Sequence, residues 1–143
     1  MFLGCSDSKF EYAPVTGSVK LDGQPVSGAR VVFMPQASGD SREAGPYSNG
    51  ETDEQGNFQL SSVATDPREG AVVGNHRIVI STRKTHLDPE NRDIEIVDSP
   101  ETIPRPYTNY QKTPLTFEVS TDGKNEANFD LDGELGKRPK NRR

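Results

Sequence analysis

The side chains that could do chemistry are few and far apart. His76, one of two dispersed histidines, opens the run HRIVISTRK on the same side as Ile78 and Ile80. A catalytic imidazole needs a nucleophile and an orienting group within reach. No serine, cysteine or second histidine is set beside His76 in a recognisable pattern, so the ring is expected to pack. Asp53, Glu54 and Asn57 crowd oxygen atoms into GETDEQGNFQL and invite a calcium reading. A calcium loop of the EF-hand type, however, places oxygens at regular alternate positions and ends in a bidentate glutamate. That pattern is missing here, so Asp53 and Gly56 read as a turn. Tyr47, Tyr107 and Tyr110 could form a sugar platform if they shared one exposed face, although tryptophan is absent. The single cysteine, Cys5, excludes an internal disulfide and a thiolate metal cluster. The expectation is a chain without catalytic residues, metal or cofactor.

The elements that must position these residues are strands. In Val15–Leu21, residues Val15, Gly17, Val19 and Leu21 alternate with Thr16, Ser18 and Lys20, the period of a half-buried strand. Ala29–Met34 is apolar on both sides apart from Arg30, which makes it more central. Asp22-Gly23, Pro25 and Gly28 lie between the two runs, which are expected to pair as a hairpin that seeds a sandwich. Pro35, with no N–H to donate, closes the second run. Residues 36–50 read as a loop. Phe58 and Leu60 then resume alternation toward the core, Val63–Val73 is a polar connection, and His76–Ser81 is the next strand. Thr85–Thr102 is the longest irregular stretch, a solvated acid-rich insertion in which Ile94, Ile96 and Val97 add a short edge strand. Ile103-Pro104-Arg105-Pro106-Tyr107 is held extended by its prolines, with Tyr107 packing on the end of the domain. Leu115–Val119 and Ala127–Leu131, separated by Asp122-Gly123, are expected to close the fold as an antiparallel hairpin.

Length and charge bound the partners. A chain of 143 residues suits one domain, burying roughly two thirds of its unfolded surface. Only 30% of it is hydrophobic, but those residues cluster in alternating runs, as a small two-sheet core requires. Thirteen glycines and eleven prolines punctuate many short strands. The formal net charge is −5, yet Lys137–Arg143 carries five positive charges and no acid, which leaves −10 on the rest. Nucleic acid is therefore not the expected partner. The like charges of the tail repel and should keep it disordered; its functional alternative is contact with an anionic lipid, polysaccharide or nucleic acid.

Phe2-Leu3-Gly4-Cys5-Ser6 resembles the end of a bacterial lipoprotein signal, with leucine three residues before the attachment point, a small residue directly before it, and then the lipidated cysteine. Such a signal begins with a charged segment and about 7–15 apolar residues. Only four residues precede Cys5, so on this reading the sequence starts late. No segment approaches the ~18 consecutive apolar residues of a spanning helix, which leaves a lipid on Cys5 as the expected membrane attachment.

VTGSVKLDGQPVSGARVVFMP, GETDEQGNFQL, GNHRIVIS and IPRPYTNYQKTPLTFEVSTDGKNEANFDL, taken in that order, resemble the small bacterial lipoproteins that carry a transthyretin-like or carboxypeptidase-regulatory-like domain. The resemblance implies an all-β, Greek-key β-sandwich of about seven or eight strands, transthyretin-like or immunoglobulin-like. It further implies export and tethering through Cys5, and brings no catalytic residues. Transthyretin-like hydrolases share the fold but end in Tyr-Arg-Gly-Ser, where this sequence has Lys140-Asn141-Arg142-Arg143. The expected organisation is a signal end and tether over residues 1–14, a sandwich over 15–132 and a basic tail over 133–143. The expected function is a non-catalytic, envelope-anchored lipoprotein facing the periplasm or cell surface and making structural or protein–protein contacts. The alternative is a carbohydrate- or peptide-binding module. Its partners would be the membrane, through the lipid on Cys5, and an envelope protein or polysaccharide.

Overall fold

The structure is a computed structural model that describes residues 10–37, 45–63, 68–121 and 125–135. Cys5, Asp122-Gly123 and Lys137–Arg143 lie outside the described residues. The strands in chain order are β1 (Tyr12–Ala13), β2 (Val15–Leu21), β3 (Gln24–Pro25), β4 (Arg30–Pro35), β5 (Ser48–Glu51), β6 (Asn57–Gln59) and β7 (Ser61–Ser62). They continue as β8 (Ala71–Val72), β9 (Gly74–Ser81), β10 (Lys84–Leu87), β11 (Glu95–Ser99), β12 (Thr116–Val119) and β13 (Asn125–Leu131). One sheet has the order β12-β9-β4-β5-β7; the facing sheet has the order β13-β2-β3, with β6 also paired to β2. The fold is thus an all-β sandwich. Of the nine strands that the described residues contribute to the two sheets, seven are three residues or longer.

Alternation decides which side chains meet between the sheets. Val15 and Val19 of β2, Val31 and Phe33 of β4, Ile78 and Ile80 of β9, and Ala127, Phe129 and Leu131 of β13 are all buried. Phe33 is the hub of this core. Its ring centroid lies 6.5 Å from Phe58, 6.2 Å from Phe129 and 5.9 Å from Phe117, and so ties the two sheets together. Phe58 and Phe129 stack at 6.4 Å. They fit because Gly17 lies beneath them: a Cβ there would overlap the Ala127 carbonyl oxygen and sit 2.8 Å from the Phe58 ring.

Two expected hairpins do not form. Asp22-Gly23 does make a two-residue turn, with φ of +52° and +85°, as a type I′ turn requires. The strand it returns is the short β3, with Leu21 opposite Gln24 and Lys20 opposite Pro25. One more ladder bond follows, from the Val26 N–H to the Val19 carbonyl at 3.0 Å, but the Val19 N–H is given to the Gly56 carbonyl, and the chain then crosses to the other sheet, where β4 pairs with β5 and β9. Two successive runs with one apolar face each can bury those faces by lying across the core from each other as well as by pairing edge to edge. β12 and β13 behave in the same way: β12 pairs antiparallel with β9, whereas β13 runs parallel to β2 from Asn125 opposite Val15 to Leu131 opposite Leu21. Asn125 braces the crossing by accepting from the Ser120 N–H at 2.8 Å and donating to the Ser120 and Pro14 carbonyls at 3.0 and 3.2 Å.

Four segments carry more structure than their composition announces. Residues 36–50, expected to be a loop, already include the start of β5 at Ser48, where Ser48, Asn49 and Gly50 pair with Phe33, Val32 and Val31 of β4. β8, within the polar connection, pairs with β1 ahead of Val15, and Ala13 and Ala71 are buried there. Arg105–Thr108 forms a 3-10 helix in place of the extended run expected of Ile103–Tyr107. The φ that proline imposes suits a first helical turn as well as an extended chain, and its missing N–H costs nothing there. Tyr107 is buried as expected, and its hydroxyl accepts from the Asp132 N–H at 2.8 Å. Thr85–Thr102, expected to be irregular with a single edge strand, folds into the antiparallel β10–β11 ribbon, with a register shift at Lys84/Thr85.

Candidate functional site

The outward residues of β2, β6 and β13 line a trough of about 850 Å3. Pairing register builds its floor as transverse rows. Thr16 sits between Gln59 and Glu126, and Ser18 between Asn57 and Asn128. Lys20 lies beside Asp130 in the third row. Successive rows are about 7 Å apart, two residues of strand. Ser18 donates to Asn128 Oδ1 at 2.9 Å and fixes the middle row. Glu51 and Asp53 line the trough as well, on the β6 side, where Gly50 lies against the Gln59 backbone and Asp53 accepts from the Asn57 N–H at 2.9 Å.

Charge is unevenly spread over this surface. Four carboxylates, Glu51, Asp53, Glu126 and Asp130, face one cation, Lys20, so the lining carries three net negative charges. Glu51 is also paired with Lys84. Asp53 Oδ1 accepts from both the Gln55 and Asn57 N–H groups at 2.9 Å, which makes Asp53 the organiser of the turn. Among the described residues no group of three or more His, Cys, Asp or Glu is arranged to hold a metal ion. The floor of hydroxyls and amides, bordered by carboxylates, can exchange hydrogen bonds with a polar ligand and attract a positive one.

The second surface feature is the arm made by β10 and β11. Leu87 and Val97 occupy one face of the ribbon, diagonal to each other, and are 47% and 52% exposed; Ile94 near the tip is 47% exposed. A lone two-stranded ribbon is marginal in water, and this one is held at its base. The Glu101 carboxylate accepts from Ser81 Oγ at 2.5 Å, from the Thr82 N–H at 2.7 Å and Thr82 Oγ1 at 3.0 Å, and from the Ile103 N–H at 3.3 Å. Thr102 N–H donates to Thr82 Oγ1 at 2.7 Å, so the strand entering the arm is tied to the chain leaving it. Burial pushes the Glu101 carboxyl up, but the hydrogen bonds from Ser81, Thr82 and Ile103 outweigh it and hold the group below its ordinary value. Along the arm, Arg83 pairs with Glu95 at 3.4 Å and His86 Nδ1 with Asp98 at 2.9 Å. The Thr85 hydroxyl, then Arg83, lower the Glu95 carboxyl.

The residues singled out by type are scattered. His76 is buried against Phe33 at 5.3 Å between ring centroids. Its Nε2 lies 2.6 Å from the Val72 carbonyl, which makes Nε2 the protonated donor, and Nδ1 finds no hydrogen-bond partner among the described residues. Burial lowers the proton affinity of this imidazole, and the bond to Val72 only partly restores it. Tyr107 is buried while Tyr47 and Tyr110 are exposed, so the three tyrosines do not share one exposed face. Tyr110 instead carries the Arg77 guanidinium 5.3 Å above its ring. The trough and the knot at Glu101 were not found from sequence. The outward alternation of Thr16, Ser18 and Lys20, and of Glu126, Asn128 and Asp130, was visible, but nothing local announced that the two ladders lie side by side.

Comparison with known proteins adds little to this geometry. No family model matches the chain, and no curated protein matches it. Among solved structures it is similar to a 9R-lipoxygenase from Cyanothece PCC8801, with a TM-score of 0.43 and 11% identity. The match covers 92% of this chain and 18% of the lipoxygenase.

Proposed function

We propose that this protein is a non-catalytic interaction module, tethered to the cell envelope through a lipid on Cys5, that makes its protein contacts with the β10–β11 arm. The observation that carries the reading is the arm itself: a ribbon that exposes Leu87, Ile94 and Val97 while its base is tied by Glu101. Long excursions in small domains tend to carry function. A ribbon braced at its root presents apolar side chains at a fixed angle, which lowers the ordering cost of binding. The tether rests on the sequence around Cys5 and on the resemblance to transthyretin-like or carboxypeptidase-regulatory-like lipoproteins. The trough favours a second reading, in which a peptide or carbohydrate lies across the rows of hydroxyls and amides between β6 and β13.

The test has two arms. The protein is expressed in bacteria behind a lipoprotein signal segment, and wild type is compared with Cys5→Ala by intact mass and detergent partition; a lipid-sized mass and a detergent phase, both lost in the variant, are expected. Photo-crosslinkers are then placed at Leu87, at Asn128 in the trough and at Glu118 on β12. Adducts with an envelope protein at position 87 alone support contact through the arm. Adducts at 128 alone favour the second reading, and equal labelling at all three positions, or none, rejects both.

A further inference from the structure

The trough is an acidic sheet face that no other element covers among the described residues, and the sequence that follows Leu135 is basic. We infer that the trough is the intramolecular docking site of the chain's own basic segment, Lys137–Arg143. Charge is the first argument. Three net negative charges line the trough, two once the Glu51–Lys84 pair is set aside, and the segment supplies five positive charges and no acid. The excess on each side is of opposite sign, and Asp130 and Glu126 are spaced along β13 so that an extended chain passes both.

The second argument is where the described chain ends. After β13 the backbone turns, with the Leu135 N–H bonded to the Asp132 carbonyl. The Gly133 N–H donates to Asp22 Oδ1 at 2.9 Å. Asp22 directly follows Leu21, the partner of Leu131, so the chain leaves at the Lys20–Asp130 end of the trough. Lys137 comes two residues after Leu135. The distance from Asp130 to Glu126 is about 13 Å of strand, whereas the eight residues from Gly136 to Arg143 reach about 26 Å when extended. A segment tethered this closely is present at an effective concentration in the millimolar range. It therefore outcompetes dilute external polycations. This inference stands on the trough and is independent of the contact proposed for the arm.

The 143-residue protein with Cys5→Ser and a nitroxide on Asn141→Cys provides the test. Amide signals of Thr16–Lys20 and Glu126–Asp130 should lose intensity by about twofold or more at low salt and recover at about 0.5 M NaCl, where screening shortens to a few ångström. The same loss should vanish in Glu126→Gln/Asp130→Asn, whose side chains point outward and whose unchanged remaining spectrum would show an intact fold. Broadening that is absent, falls elsewhere or survives the double variant overturns the inference. Isotope-labelled, nitroxide-free protein mixed with unlabelled, nitroxide-bearing protein supplies the remaining control. Trough broadening in that mixture would assign the segment to a second copy and overturn the intramolecular assignment.

Discussion

Removing the Glu101 carboxylate should detach the arm while leaving the sandwich folded. Four hydrogen bonds converge on it, two from the backbone N–H groups of Thr82 and Ile103 and two from the hydroxyls of Ser81 and Thr82. A hydrogen bond to a charged group contributes about 1.5–3 kcal/mol. Glu101 is only partly buried, so solvent screening takes much of that, and water can replace the carboxylate at the hydroxyls. We therefore expect Glu101→Ala to cost about 2 kcal/mol, roughly a 30-fold change in the opening equilibrium of the arm. Glu101→Gln, which keeps one acceptor but turns an amide N–H2 toward donors, should cost at least half as much. Native-state hydrogen exchange is the assay. Amides of β10 and β11 should exchange about 30-fold faster in Glu101→Ala while those of β4 and β9 keep their protection. The wild-type arm should also loosen in acid. A carboxyl held below its ordinary value of 4.5 in the folded state contributes stability above that value. That contribution is lost as pH falls through the folded value. Equal acceleration in the arm and in β4 and β9, or none in the arm, would falsify the knot as the arm's anchor.

Three further outcomes follow from the core and its closure. His76, with proton affinity lowered by burial, should give stability that is complete above its ordinary value of 6.5 and falls as pH drops below it, until the folded value is reached. Denaturant titrations from pH 7 downward should show a slope of up to about 1.4 kcal/mol per pH unit that His76→Phe removes; an unchanged slope refutes the assignment. Gly17→Ala should cost at least about 3 kcal/mol, because the added methyl meets the Ala127 backbone and the Phe58 ring and not a yielding side chain. A loss under about 1 kcal/mol by thermal unfolding would show that β2 and β13 can part cheaply. Tyr107→Phe should cost about 1 kcal/mol by leaving the Asp132 N–H without the hydroxyl that caps the end of β13, read as faster exchange at Asp132 alone.

What could be read from the sequence follows the range of the forces involved. Alternation is local, so the inward residues of β2, β6, β9, β12 and β13 were legible residue by residue, as was Asp53 as a turn residue. Strand partners are not local. Asp22-Gly23 is a strong hairpin signal and does make a hairpin, but a short one: beyond the Val26 N–H to Val19 carbonyl bond the Val19 N–H goes to the Gly56 carbonyl instead, and the chain crosses the core. A pair of amphipathic runs with a turn between them satisfies the same burial whether it closes in one sheet or faces itself across two. The sequence resolves that choice only through the bulk of distant residues, here the packing of Phe33 on Phe58 and Phe129.

The trough shows why its surface was the hardest part to foresee. Its floor exists because β13 returns from the far end of the chain to lie parallel to β2, in a register that pairs Thr16 with Glu126 and Lys20 with Asp130. That register is enforced from the inner side, where Val15 and Val19 must share a layer with Ala127 and Phe129, and a slip of one residue would turn every apolar side chain outward. The polar ladders on the outer side are carried along by the same constraint. Their pairing is thus fixed by the core, while their composition is free to vary without cost to it. A surface set in this way can change its charge by substitution at Glu126, Asn128 or Asp130 and keep the fold. The excess of acid along it is therefore a choice that stability does not require, and the basic segment that follows Leu135 is the feature of this chain that matches it in sign and reach.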